Sequence, residues 1–202
     1  MPLITSEQKN AITTMTASSF VPSIKITYAL SQHFKDGKAK LGDFFLDDTS
    51  LGGSIEATAL NWRYQFVAIQ QGEFVESLVV PNTIDLNNLW EDERVKAFKE
   101  KNSKCEINHG IDILLYIPKI NDFGVIFCSK KLAKAAFPIL ENADDGKVVK
   151  ISTVKKEYKK FEWYELEVAS TGGSVNVPSP EAKTETYLSQ IVEEVEDDGR
   201  ER

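Results

Sequence analysis

Residues 54–69 alternate their side chains at a period of two for longer than most strands run, and this stretch governs what the chain can fold into. Counting by two from Glu56, Thr58, Leu60, Trp62, Tyr64, Phe66 and Ala68 fall on one face. Ala57, Ala59, Asn61, Arg63, Gln65, Val67 and Ile69 fall on the other. One face is large and aromatic, the other small and mixed. A long strand used on both sides of its pleat predicts a bend around a small barrel, serving the core at one end and a ligand surface at the other.

The remaining pattern supplies partners for that strand. Residues 21–30 alternate and hold the β-branched Ile24, Ile26 and Thr27, and residues 43–46 form a short aromatic run between turns at Gly37, Gly42 and 47–53. Strands are also predicted over 73–80, 111–117, 124–129, 147–155 and 161–169. Between them, Leu86, Leu89, Trp90, Ala97 and Phe98 recur near helical spacing, predicting one helix over 86–102. A second helix should follow Ser129 and carry Leu132, Ala136, Ile139 and Leu140, with Pro138 breaking or kinking it. The expected fold is mainly β (α+β), with two inserted helices.

Domain limits follow from composition. Residues 1–19 are rich in Thr and Ser with weak periodicity and read as a mobile arm, so the ordered domain should cover 20–169. Residues 170–202 read as a flexible linker, Ser170-Thr171-Gly172-Gly173-Ser174, followed by an acidic tail. Ser179-Pro180-Glu181 looks like a helix start, and Leu188, Ile191, Val192 and Val195 would form its apolar stripe. A helix that short is marginal alone and should order on a partner or on the body.

Charge is unevenly spread. The chain carries −7 overall, yet residues 179–202 hold eight acids against three bases, which leaves the body near neutral. Residues 130–160 hold nine lysines against Glu141, Asp144, Asp145 and Glu157. The acidic total therefore does not exclude a polyanionic partner. Lysine runs are also common as plain solvated faces, and that reading stays open at this point. No apolar run approaches the roughly 20 residues that cross a bilayer, and the N-terminus lacks a basic-then-apolar signal pattern, so no membrane partner is expected.

Motifs for chemistry are sparse. The chain has no phosphate-binding Gly-x-x-x-x-Gly-Lys, no dinucleotide fingerprint and no Gly-x-Ser-x-Gly elbow. Cys105 and His109 have ligand-like spacing, but Cys128 and His33 sit on separate segments, and Asp47-Asp48 and Asp144-Asp145 lie in Gly-containing turns where aspartate is expected anyway. Two cysteines make no disulfide framework and suit buried thiols. The expectation is a protein without catalytic residues, cofactor or metal. What remains is aromatic and basic: Arg63 between Trp62 and Tyr64, and Lys155, Lys156, Lys159 and Lys160 around Tyr158 and before Phe161 and Trp163. Single-strand binders use this combination, because cations follow phosphates while flat rings stack on unpaired bases. Core packing is the competing reading for each ring, strongest for Trp62, Tyr64 and Phe66. Tyr158 is the better ligand candidate, since charged neighbours disfavour its burial.

The order Pro22-Ser23-Ile24-Lys25-Ile26, then Gly37-Lys38-Ala39-Lys40-Leu41-Gly42-Asp43-Phe44-Phe45, then Trp62-Arg63-Tyr64 resembles the opening of bacteriophage single-stranded-DNA-binding proteins built on an OB-fold. The similarity runs loosely to Val168, and an acidic tail is a recurrent companion in that family. The resemblance implies a five-stranded, OB-fold-like Greek-key barrel with a flexible acidic C-terminal tail, binding single-stranded DNA with little sequence preference in replication or recombination. It also implies a place in the cytoplasm of an infected host cell. Two departures stand out: long helical insertions, and a tail ending Asp198-Gly199-Arg200-Glu201-Arg202 instead of an acidic-aromatic tip.

The expected nucleic-acid face combines Trp62, Arg63 and Tyr64 with Lys155, Lys156, Tyr158, Lys159, Lys160 and Trp163, while Lys38 and Lys40 join Arg63 on phosphates. The tail could occupy that groove as a phosphate mimic, or recruit replication or recombination proteins. An oligomer is compatible with the sequence. Two other classes remain: a phage accessory protein binding a host or viral protein through its acidic helix, and a virion structural component.

Overall fold

The computed structural model describes residues 21–29, 31–47, 49–129, 132–142, 146–159 and 161–193. The expected N-terminal arm, Lys160 and the tail from 194 onward lie outside the described residues. Strands are β1 Ser23–Ile26, β2 Phe44–Leu46, β3 Thr49–Gly52, β4 Ser54–Gln70, β5 Glu73–Pro81, β6 Glu106–Ile117, β7 Asp122–Ser129, β8 Lys147–Tyr158 and β9 Phe161–Ser174. They join one mainly β sheet in the order β3-β2-β1-β7-β6-β4-β8-β9, with β5 pairing β4 off this path. β1 runs parallel to β7, and the other described ladders are antiparallel.

The sheet curls but stays open. Its two ends approach at Thr153 of β8, whose N–H donates to the Gly53 carbonyl (3.1 Å) and whose hydroxyl donates to the Gly42 carbonyl (2.6 Å). Gly42 sits at φ +85° with Tyr164 where a Cβ would project, so both conformation and space require glycine there.

The long strand is present, but its alternation is not continuous. In the β4–β6 ladder Ala59 pairs Leu115 and Asn61 pairs Leu114, so Leu60 is an extra residue. A single inserted residue swaps the two faces. Ile55, Ala57 and Ala59 point inward before it, whereas Trp62, Tyr64 and Phe66 point inward after it. Thr58 and Leu60 therefore do not share a face with Trp62, as a uniform period of two had predicted.

Three apolar clusters result. The main one lies inside the curl, where Ile24, Phe44, Ile55, Ile113, Leu115 and Ile151 meet Ala136 and Ile139. Those last two come from helix α2, Ala133–Glu141, which closes one mouth of the curl. Pro138 does not end this helix. Its missing N–H costs one bond, and Asn142 Nδ2 donates to the Pro138 carbonyl (2.7 Å) beyond it.

A second cluster holds Tyr64, Phe66, Val80, Leu89, Val95 and Phe98 beneath a 3₁₀ turn, Leu86–Glu91, and helix α1, Glu93–Lys101. The single helix expected over 86–102 is split because two aspartates cap separately. Asp85 accepts from the Asn87 N–H (2.7 Å), and Asp92 accepts from that of Arg94 (3.0 Å).

The third cluster lies on the outer face of β6 and β7, where Leu114, Tyr116, Phe123 and Val125 surround Tyr187. Tyr187 belongs to helix α3, Pro180–Glu193. The expected flexible linker is instead the end of β9: Ser170 pairs Val149, Ser174 pairs Lys147, and the Thr171 hydroxyl donates to the Val148 carbonyl (2.8 Å). No helix among the described residues is long and apolar enough to cross a membrane.

Candidate nucleic-acid interface

The outer face of β1, β7, β6, β4 and β5 is covered by α3 over one part and open over the rest. The register sets its floor: Lys25 lies on β1, Phe127 pairs Asp112, Asp112 pairs Arg63, and Gln65 pairs Val79 on β5. A cavity of about 620 Å³ sits on this floor with Phe74 as a wall. A second, of about 590 Å³, shares Ile24, Lys25 and Phe127 with the first and reaches Tyr28, Ser129 and Leu132. A third, of about 680 Å³, shares those last three and ends at Trp163 and Tyr164 of β9. The shared residues set the three cavities side by side, in a row that makes a candidate trough.

Aromatic rings recur along it. Phe74 is 67% exposed, Tyr28 45% and Trp163 39%, while Phe127 and Tyr164 are half-buried. Burying such rings would ordinarily stabilise the fold, so several left in one trough mark a surface built for contact. Lys25 stands exposed midway along, while Glu162 and Glu165 line the Trp163 end. Glu165 accepts the Trp163 indole N–H (2.9 Å), which fixes the ring plane.

At the floor, Arg63 and Asp112 are buried and face each other, with Arg63 Nε 3.4 Å from Asp112 Oδ2. Arg63 Nη1 donates to the Tyr187 carbonyl (2.7 Å), and its guanidinium lies 4.1 Å from the centre of the Tyr187 ring. The Tyr187 hydroxyl donates to the Asp112 carbonyl (3.1 Å). Burial pushes the Asp112 carboxyl up to about 6, outweighing the pull of Arg63 in the other direction. Burial, with Asp112 adding to it, pushes the adjacent Cys128 thiol up to about 12, so it is an inert core group. Among the described residues no three metal-ligating side chains converge.

The residues expected at the site divide into three groups. Tyr64 is buried in the second cluster, and Trp62 is half-buried between two clusters, edge-on to Tyr64 at 5.1 Å. Both are core, because the extra residue at Leu60 turns this half of β4 inward. Arg63 is corrected from phosphate contact to buried floor: at 6% exposure its guanidinium serves Asp112 and Tyr187.

The second group sits on the β8–β9 hairpin. Tyr158 is 63% exposed, with Lys159 Nζ 5.3 Å from its ring centre, and Trp163 lines the trough. Lys155 Nζ is 2.8 Å from both Glu157 and Glu162, and Lys156 reaches Glu167 at 3.7 Å. Hydrogen bonds to Glu157 and Glu162 raise the Lys155 pKa above the usual lysine range. The hairpin is thus far less cationic than its lysines alone suggest. The third group, Lys38 and Lys40, is exposed in the turn that leads to Gly42, next to Thr153 and Tyr164.

Tyr28, Phe74, Phe127 and Lys25 were not singled out from the sequence. A usable signal existed for Phe74, which follows Glu73 and lies near Glu76, the same charged setting that marked Tyr158. Phe127 carried none, since in an apolar strand an outward ring reads like an inward one. Comparison with protein-family models, curated proteins and solved structures finds no match to this chain.

Proposed function

We propose that this chain is a non-catalytic single-stranded-DNA-binding protein of bacteriophage type, acting in replication or recombination, with the strand lying along the trough from Phe74 to Trp163. The observation that carries the reading is the row of accessible rings, Phe74, Phe127, Tyr28 and Trp163, along three adjoining cavities. Each stacked base contributes roughly 1–3 kcal/mol without regard to its identity. Lys25 at the centre and Lys38 and Lys40 on the neighbouring turn follow the phosphates. An OB-type barrel accords with the curled, incompletely closed sheet and with a ligand trough across the outer face of β6 and β7.

The test is fluorescence anisotropy with labelled oligo-dT and with a duplex of equal length. Oligo-dT should bind and the duplex should bind far more weakly. Affinity should fall linearly in a log-log salt titration, by roughly 0.7 per phosphate neutralised. Equal binding to both, or to neither, overturns the reading.

A further inference from the structure

The first cavity of the trough ends against α3. Val21 and Val125 line that cavity and also belong to the apolar cluster that Tyr187 completes. Arg63 and Asp112 are shared in the same way, lining the cavity while bonding Tyr187. The open floor and the seat of α3 are therefore adjoining parts of one sheet face. The seat holds more of what the open part displays: the Tyr116 and Phe123 rings, paired across β6 and β7 with centres 5.2 Å apart.

What α3 sets on this seat is a ring, an acceptor and a cation. The Tyr187 ring lies 4.1 Å from the Arg63 guanidinium, its carbonyl accepts from Arg63 Nη1 (2.7 Å), and Lys183 Nζ is 5.7 Å from the Phe123 ring centre. A nucleotide offers the first two groups in another form. A flat base can stack on the guanidinium, and a phosphate oxygen can accept from Nη1 in a stronger, charge-assisted bond. The exchange leaves no buried donor unpaired, because Nη1 only changes its acceptor. Tyr116 and Phe123 then become stacking faces for further bases.

The helix is built to leave. Among its described side chains Tyr187 alone is buried, and a helix of this length is marginal without its seat. The segment before it stays tied to the body, since the Val175 N–H donates to the Gly146 carbonyl (3.0 Å). Lifting α3 therefore leaves the β8–β9 hairpin in place.

We infer that the seat of α3 is a further single-strand site, continuing the trough past Arg63, and that α3 and the strand exclude each other there. This rests on the single-strand reading above and adds to it a covered length of path with Tyr116, Phe123 and Arg63 as its contacts. The competition is between two flat groups for one guanidinium, so it requires no acidic residue.

The first experiment measures hydrogen exchange across 180–193 in the full chain, alone and saturated with an oligo-dT of about 30 nucleotides, long enough to cover several stacking positions. The α3 amides should exchange at least about tenfold faster in the complex, as expected of a helix released from its seat. The second compares affinities. Tyr187→Ala, which frees the seat without changing the charge of the chain, should tighten oligo-dT binding by about tenfold. Adding Phe123→Leu should take back that gain, since one stacking ring is then missing. If oligo-dT binds but α3 protection is unchanged or increased, the inference falls while the single-strand reading stands. The same holds if affinity is unchanged in a folded Tyr187→Ala chain, or if the gain survives Phe123→Leu. The exchange measurement uses the unaltered chain and decides the matter even where the variants fail to fold. If oligo-dT does not bind at all, both readings fall.

Discussion

Asp112 concentrates the physics of the floor in one carboxyl. It is 2% exposed, 3.4 Å from Arg63 Nε, and its pKa is pushed from the ordinary 3.8 up to about 6 by burial. Between those values the folded chain holds a proton that the unfolded chain has lost. Stability therefore falls as pH rises through that window, and a shift of about two units corresponds to roughly 3 kcal/mol. Glu76, held below its usual range by Lys101 and Asn102, and Asp92, held low by Arg94, act in the opposite sense, losing their contribution as pH falls. Comparison with Asp112→Asn cancels those two groups. Relative to wild type, the variant should gain on the order of 2–3 kcal/mol between pH 4 and pH 7 in urea denaturation. A difference that stays constant across that range would mean the carboxyl ionises as freely when folded as when unfolded.

At the scale of elements, α3 shows how little holds a helix in place. Most of its described side chains are exposed or half-buried, and Tyr187 alone is sealed, with Arg63 against its ring and the Asp112 carbonyl on its hydroxyl. A free helix of this length is marginal, so docking depends on that anchor. Tyr187→Ala should cost about 3–5 kcal/mol, as for other buried rings. Tyr187→Phe, which loses one hydrogen bond, should cost about 1 kcal/mol. Equal, small losses in urea denaturation would mean that α3 does not rest on the sheet. The helix start at Ser179-Pro180 was legible, since proline at a first helical position is a local signal. The anchor was not: a stripe from Leu188 to Val195 looked more apolar, and only the tertiary neighbour Arg63 selects Tyr187. The same division runs through the fold. The strands β4, β6, β7, β8 and β9 were legible because side-chain patterning is local, whereas their pairing was not, because it joins distant segments. The face swap at Leu60 was hidden, because an inserted residue is defined by what it fails to pair with on β6. Ser170–Ser174 misled because Gly172 and Gly173 lower strand propensity, while β8 pairs the flanking Ser170 and Ser174 and the residues between them form a bulge, with Gly172 at φ +71°.

For the whole molecule, the trough makes the distance between its ends a measurable quantity. Phe74 stands on β5 at one end and Trp163 on β9 at the other, and the curl of the sheet brings Tyr28 and Phe127 between them. A strand long enough to engage both ends gains from each ring independently. Phe74→Ala and Trp163→Ala should then each weaken binding of a long oligo-dT by roughly 1–3 kcal/mol, and the double variant should show the sum. An oligonucleotide of only a few nucleotides engages one end at a time, so losing a single ring leaves it the other end, and the single variants should scarcely weaken it. The salt slope separates the chemistry of rings from that of charges. Neither aromatic substitution should change it, whereas Lys25→Ala should reduce it by roughly 0.7. Additive losses with long strands, small single losses with short ones and an unchanged slope would together require one continuous path. If Trp163→Ala has no effect at any length, the path ends before β9, and the Glu162 and Glu165 carboxylates at that end are the physical reason the phosphates avoid it.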